Sequence, residues 1–84
     1  PNPFNPSTTI QFELNRFGPV SLSIYSINGR LVNKLINDTM HPGNYNSIWN
    51  GTNLRGNQVS SGIYIAVLQA EKSVKITRKL MLLK

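Results

Sequence analysis

The sequence predicts an all-β chain, a small antiparallel immunoglobulin-like β-sandwich of six to seven strands. Three observations predict it. Short runs alternate apolar and polar residues with the two-residue period of a half-buried strand. Turn signals recur about every eight to twelve residues. No stretch carries a convincing helical period, so a βαβ arrangement is disfavoured.

The chain begins with a stiff lead-in, PNPFNPS, over residues 1–7. Its prolines lack an N–H and push Asn2 and Asn5 toward extended conformations. The stretch resists both helix and central strand, and Phe4 is available to pin it to a core. Residues 8–14, TTIQFEL, then alternate, with Ile10, Phe12 and Leu14 on one face. Gly18-Pro19 signals a turn. Residues 20–26, VSLSIYS, put Val20, Leu22 and Ile24 inside and Ser21 and Ser23 outside. Asn28-Gly29 predicts a type I′ hairpin turn, with positive φ at both positions.

Residues 30–37, RLVNKLIN, are ambiguous. Leu31, Val32, Leu35 and Ile36 have helical spacing, but the segment is short and follows a hairpin turn, which favours a strand. His41-Pro42-Gly43 reads as a turn. Residues 44–50 form a further strand with Tyr45, Ser47 and Trp49 on one face, and Trp49 is the expected core aromatic. A long polar loop, NGTNLRGNQVSSG, follows from Asn50 to Gly62. Residues 63–69, IYIAVLQ, are nearly all apolar and predict a central strand covered on both faces. Glu71 to Ser73 make a turn. Over residues 74–83, Val74, Ile76, Leu80 and Leu82 share one face, with Arg78 breaking the apolar row.

Residues 1–84 therefore read as one domain, with a core modest for its size. There is no cysteine, which removes disulfides and thiolate metal sites but does not place the compartment. No apolar run is long enough to span a membrane, and no conventional leader is evident; a leader can lie elsewhere in a longer protein. Nine Lys and Arg against three acids give a net charge of +6. Such a balance invites nucleic acid or an anionic surface, while solvation of strand faces is the ordinary explanation. The C-terminal basic strand holds no aromatic on which bases can stack, and no RNA-binding motif occurs, so nucleic acid is not expected as a partner.

Parts for catalysis are lacking. The single histidine, His41, sits in a turn, and Glu13, Asp38 and Glu71 lie on separate segments. No nucleophile elbow is present, and Gly51 to Gly56 is followed by Asn57 where a phosphate loop needs lysine. Neither enzyme activity nor any cofactor or metal is expected. Asn37-Asp38-Thr39 and Asn50-Gly51-Thr52 match a glycosylation acceptor pattern, but asparagine in turns explains both.

Several stretches, in order, carry a resemblance. PNPFNPSTTIQFEL, VSLSIYSINGRLV, PGNYNSIWNGTNLRGNQVSSGIYIAVLQA and a terminal TRKLMLLK resemble the C-terminal sorting domain of the type IX (Por) secretion system, and share much with flagellar hook-cap Ig-like domains. The resemblance implies an Ig-like, non-catalytic address at the end of a secreted cargo, as in Bacteroidota and their relatives. It implies a covalently attached N-terminal cargo, an outer-membrane translocon that reads the domain after passage through the periplasm, and a surface peptidase that removes it. The cargo then lies on the cell surface or in the medium. Recurrent positions of the family fall on Pro1, Asn2 and Pro3, on Gly62 and Tyr64, and on Lys79 and Lys84. Asn50 stands where an Asp after Trp is common, and the ending LMLLK is more apolar than usual.

The residues suit an address. The last strand alternates cations with apolar side chains, so a partner strand can pair with it while reading those side chains; lysines also protect an ordinary edge strand. Gly62 is expected where a side chain would clash, and the Tyr64 hydroxyl is expected to need a partner. The competing function is a structural or carbohydrate-binding accessory domain of a secreted enzyme.

Overall fold

The structure, a computed structural model, describes residues 6–84; the lead-in positions Pro1, Asn2, Pro3, Phe4 and Asn5 lie outside the described residues. Six strands form: β1 (Thr8–Leu14), β2 (Gly18–Ser26), β3 (Leu31–Met40), β4 (Gly43–Trp49), β5 (Gly62–Ala70) and β6 (Val74–Leu82). They make two antiparallel sheets, a pair β1-β4 and a four-stranded sheet β3-β2-β5-β6. The all-β sandwich follows from the period-two pattern: alternate residues of each sheet turn toward the other. Ile10, Phe12 and Leu14 of β1 meet Val20, Leu22 and Ile24 of β2, Tyr64, Ala66, Leu68 and Ala70 of β5, and Leu80 and Leu82 of β6. Trp49, Leu22 and Ile24 are wholly inaccessible.

The helical spacing in β3 has a specific cause. Against β2, the register skips one residue twice, at Leu35 between Ile36 and Lys34, and at Val32 between Asn33 and Leu31. Each β-bulge inserts one residue and resets the face that later side chains take. Val32, Leu35, Ile36 and Met40 thereby all pack against the core from one edge strand. The strand expected over 30–37 runs from Leu31 to Met40, and Asn37 lies within it rather than in a turn.

The turn before β3 also differs from the sequence expectation. Only Gly29, at φ 85°, has positive φ; Asn28 does not. The Gly29 N–H donates to Ser26 O and the Ser26 N–H donates to Arg30 O. This is a three-residue loop closed by a left-handed glycine, not a two-residue type I′ turn. The extra residue accommodates the same strand reversal. Left-handed residues fall instead at Glu71 (φ 51°) and Lys72 (φ 57°), in the β5–β6 turn.

β3 and β4 belong to different sheets, so His41-Pro42 carries the chain across the sandwich. The Tyr45 hydroxyl donates to His41 O at 2.7 Å and its ring stacks on Phe12 at 5.5 Å, which fixes that crossing. β5 is central but is covered on one face only. Tyr64, Ala66, Leu68 and Ala70 are buried, whereas Ile63, Ile65 and Val67 are half-buried on the outer face. No second layer overlies that face among the described residues; neighbouring side chains of β2 and β6 shelter it. That shelter also buries Ser23, which the alternation places outside.

The two-stranded sheet is too narrow to cover β6 completely. Val74 and Ile76 take inward register positions yet remain 36% and 45% exposed. Arg78, which interrupts their row, bridges the gap between the sheets: its Nη1 donates to Gln11 O at 2.6 Å. The pairings place Thr8, Trp49, the 26–30 loop, the start of β5 and the end of β6 at one end of the sandwich, called here the entry end. Residues 15–17, 41–42 and 71–73 lie at the far end.

Candidate functional site

The entry end is organised around Trp49. Its indole lies edge-on to Tyr64, with ring centroids 5.0 Å apart and planes at 68°. The indole Nε1 donates to Thr52 O at 2.9 Å, and the Asn33 Nδ2 donates to the same carbonyl at 2.8 Å. Both donors hold down the loop after β4. That loop is not a loose polar stretch. A Thr52–Gln58 bridge closes it, and Asn53 Oδ1 accepts from the N–H groups of Arg55 and Asn57. Asn50 Oδ1 accepts from the Thr52 hydroxyl at 2.6 Å, so an asparagine serves this turn in place of an aspartate. Gly51, at φ 75°, sits so tightly that a Cβ there would stand 3.2 Å from Leu82 Cδ2.

Of the residues singled out in the sequence, the structure brings Gly62, Tyr64 and Lys84 together. Tyr64 buries its ring, and its hydroxyl donates to Ser60 O at 2.6 Å, four residues back. This latch is of the tyrosine-corner kind and fixes the turn into β5. The Lys84 N–H donates to the Ser61 hydroxyl at 3.0 Å, while Leu82 pairs with Gly62. The chain end is thus tied to the start of β5. Gly62 departs from the sequence expectation. Nothing lies within 4 Å of a Cβ built there, so no side chain would clash; φ of +156° is what glycine supplies.

Lys79 does not join this group. It pairs with Ile65 on the outer face, whereas its neighbour Leu80 pairs with Tyr64 on the inner face. Lys79 and Tyr64 therefore project from opposite sides of one sheet. Pro1, Asn2 and Pro3 fall outside the described residues. Sequence reasoning missed Asn33, Thr52, Ser60 and Ser61. Asn33 carried one legible signal, a polar side chain inside a run of core-facing apolar ones; the others act through main-chain oxygens or a lone hydroxyl, which no side-chain pattern reveals.

Replacing Tyr64 with Phe is expected to lower stability by about 1–1.5 kcal/mol, the worth of one hydrogen bond to a part-buried carbonyl. Urea unfolding of Tyr64→Phe against the parent checks this; an unchanged midpoint would show that the latch does not hold the corner.

Among the described residues no three His, Asp or Glu side chains converge. His41 packs on Phe17, with ring centroids 4.8 Å apart. The half-buried Glu71 stands 3.7 Å from the exposed Arg16, a surface pair worth little. The site offers rigid backbone, an anchored chain end and outward cations. It defines a small antiparallel β-sandwich module with one ordered end.

The profile of one family, the secretion system C-terminal sorting domain, matches residues 1–83. The chain belongs to this family. It is a C-terminal sorting signal of type IX secretion, which marks an attached N-terminal cargo for export to the cell surface or medium. No curated protein and no solved structure matches the chain.

Proposed function

We propose that residues 1–84 act as one non-catalytic unit whose final strand is read by the outer-membrane translocon, after the cargo has crossed the periplasm. The observation that carries this reading is the placement of β6. Among the described residues it pairs only with β5 and its other edge has no strand partner, and its end is held against Ser61 with the exposed Lys79 and Lys84 presented outward. A free edge offers main-chain pairing while its side chains supply selectivity. Gly62 and Tyr64 support this presentation by shaping the corner. Pro1, Asn2 and Pro3 are proposed to contribute to recognition from the Pro-rich segment before β1.

Fusing residues 1–84 to a periplasmic reporter in a type IX host should give surface export. A Lys79→Glu/Lys84→Glu double variant should keep its thermal midpoint, since both side chains are exposed, while export falls by about tenfold or more. Normal export of a folded double variant would remove the cations from the reading. The accessory carbohydrate-binding reading is not favoured: Trp49 is fully buried, so it cannot belong to an exposed aromatic platform.

A further inference from the structure

The side-chain charge is segregated by the fold. On the far half, Arg16, Lys72 and Lys75 are balanced by Glu13, Asp38 and Glu71. The strand registers place all three acids there: Asp38 opposite Val20, Glu13 opposite Asn44, and Glu71 in the β5–β6 turn. Arg30, Lys34, Arg55, Arg78, Lys79 and Lys84 occupy the middle and the entry end, where Arg78 alone shares a cavity wall with an acid, Glu13. The net charge of +6 therefore lies on the middle and the entry end, with Arg30, Arg55, Lys79 and Lys84 on the entry side of the mid-sheet pair Lys34 and Arg78.

The entry end also carries protruding apolar side chains. Ile27 stands at the tip of the 26–30 loop and is 74% exposed; Met81 and Leu83 at the chain end are 59% and 70% exposed. Leu31, at the start of β3, adds a fourth beside them on the outer face. Arg30, Lys79 and Lys84 are interleaved with these four in sequence and register.

We infer that this entry end docks on an anionic lipid surface, with the cations against phosphate headgroups and Ile27, Met81 and Leu83 entering the acyl boundary. Two features favour lipid over a protein. Anchors of a protein interface fill pockets, whereas these side chains protrude singly; the best-formed cavities lie on the far half or between β1 and β6. An interface that is fluid and uniformly negative accepts scattered apolar tips among cations without shape complementarity. A second copy of the chain is disfavoured, because two such ends repel. The inference goes beyond the export reading and does not rest on it.

The test uses the 84-residue chain and vesicle flotation. Vesicles of phosphatidylcholine alone are compared with vesicles holding about 30% phosphatidylglycerol, at low and high salt. Binding is expected only to the anionic vesicles, and to fall by about tenfold or more at high salt. Arg30→Glu/Lys84→Glu should weaken it by about tenfold or more. Ile27→Ser/Leu83→Ser should also weaken it by about tenfold even at low salt, through lost apolar insertion. Lys72→Glu/Lys75→Glu, at the far end, should change it less than about threefold. Circular dichroism confirms that each variant stays folded. No binding to anionic vesicles, or equal loss from the far-end pair, overturns the proposal. So does binding that ignores Ile27→Ser/Leu83→Ser and is competed by soluble polyglutamate, which would point to an acidic macromolecule instead.

Discussion

Trp49→Ala is expected to lower the unfolding free energy by about 3–5 kcal/mol, the range for deleting a large buried aromatic. The residue is wholly inaccessible, so the ring's entire contact area is lost. Tyr64 loses its edge-on partner, and Thr52 O loses one of two donors. A chain of this length has only about 4–12 kcal/mol in total. The variant should therefore be marginally folded at 25 °C, with a low urea midpoint and rapid proteolysis of the 50–61 loop that Trp49 holds down. Trp49→Phe separates the causes, since it keeps most of the packing and removes the hydrogen bond; about 1–2 kcal/mol is expected. A Trp49→Ala protein that unfolded near the parent midpoint would show that the entry end does not depend on this ring.

Deleting Leu80 to Lys84 is expected to unfold the domain rather than merely to hide its end. Leu80 and Leu82 are 6% and 1% exposed and belong to the central cluster. Truncating two such leucines costs about 5 kcal/mol or more in sum, a large part of the available stability. The start of β5 would also lose its pairing, including Gly62 with Leu82. The deleted chain should lack a cooperative thermal transition. Lys79→Ala and Lys84→Ala should each stay within about 0.5 kcal/mol of the parent. Loss of export after such a deletion thus reports unfolding, and only point changes at the cations test recognition. A deleted chain that melts cooperatively, within a few degrees of the parent, would show that the last five residues are dispensable to the core.

The β-sandwich was legible because its cause is local. Alternation in TTIQFEL and VSLSIYS states which side chains turn inward, and the structure buries Ile10, Phe12, Leu14, Val20, Leu22 and Ile24. The burial of Trp49 was legible for the same reason. β3 was harder, because two bulges mixed a strand's period until it looked helical. A bulge depends on which partner strand lies alongside, and that is not written in the segment itself. The apolar run of β5 misled in a different way. It showed a strand in the middle of a sheet but could not show that only one side of that sheet is covered.

For the candidate site, the sequence by itself determined the kind of protein. It showed six to seven short strands, a Pro-rich start and a basic end, and carried a family resemblance that implied positions Gly62, Tyr64, Lys79 and Lys84. Only the tertiary structure decided how those positions relate. Tyr64 and Lys79 share neighbouring strands yet face opposite ways, because register as well as strand identity sets the face. Lys84 meets Ser61 across more than twenty residues of chain because β6 returns antiparallel to β5. Charge behaves likewise. The sum of +6 is a property of composition, whereas its displacement away from the far end arises from the way the strand registers carry all three acids there. Local patterns fix which way a side chain turns; long-range pairing alone fixes what it meets.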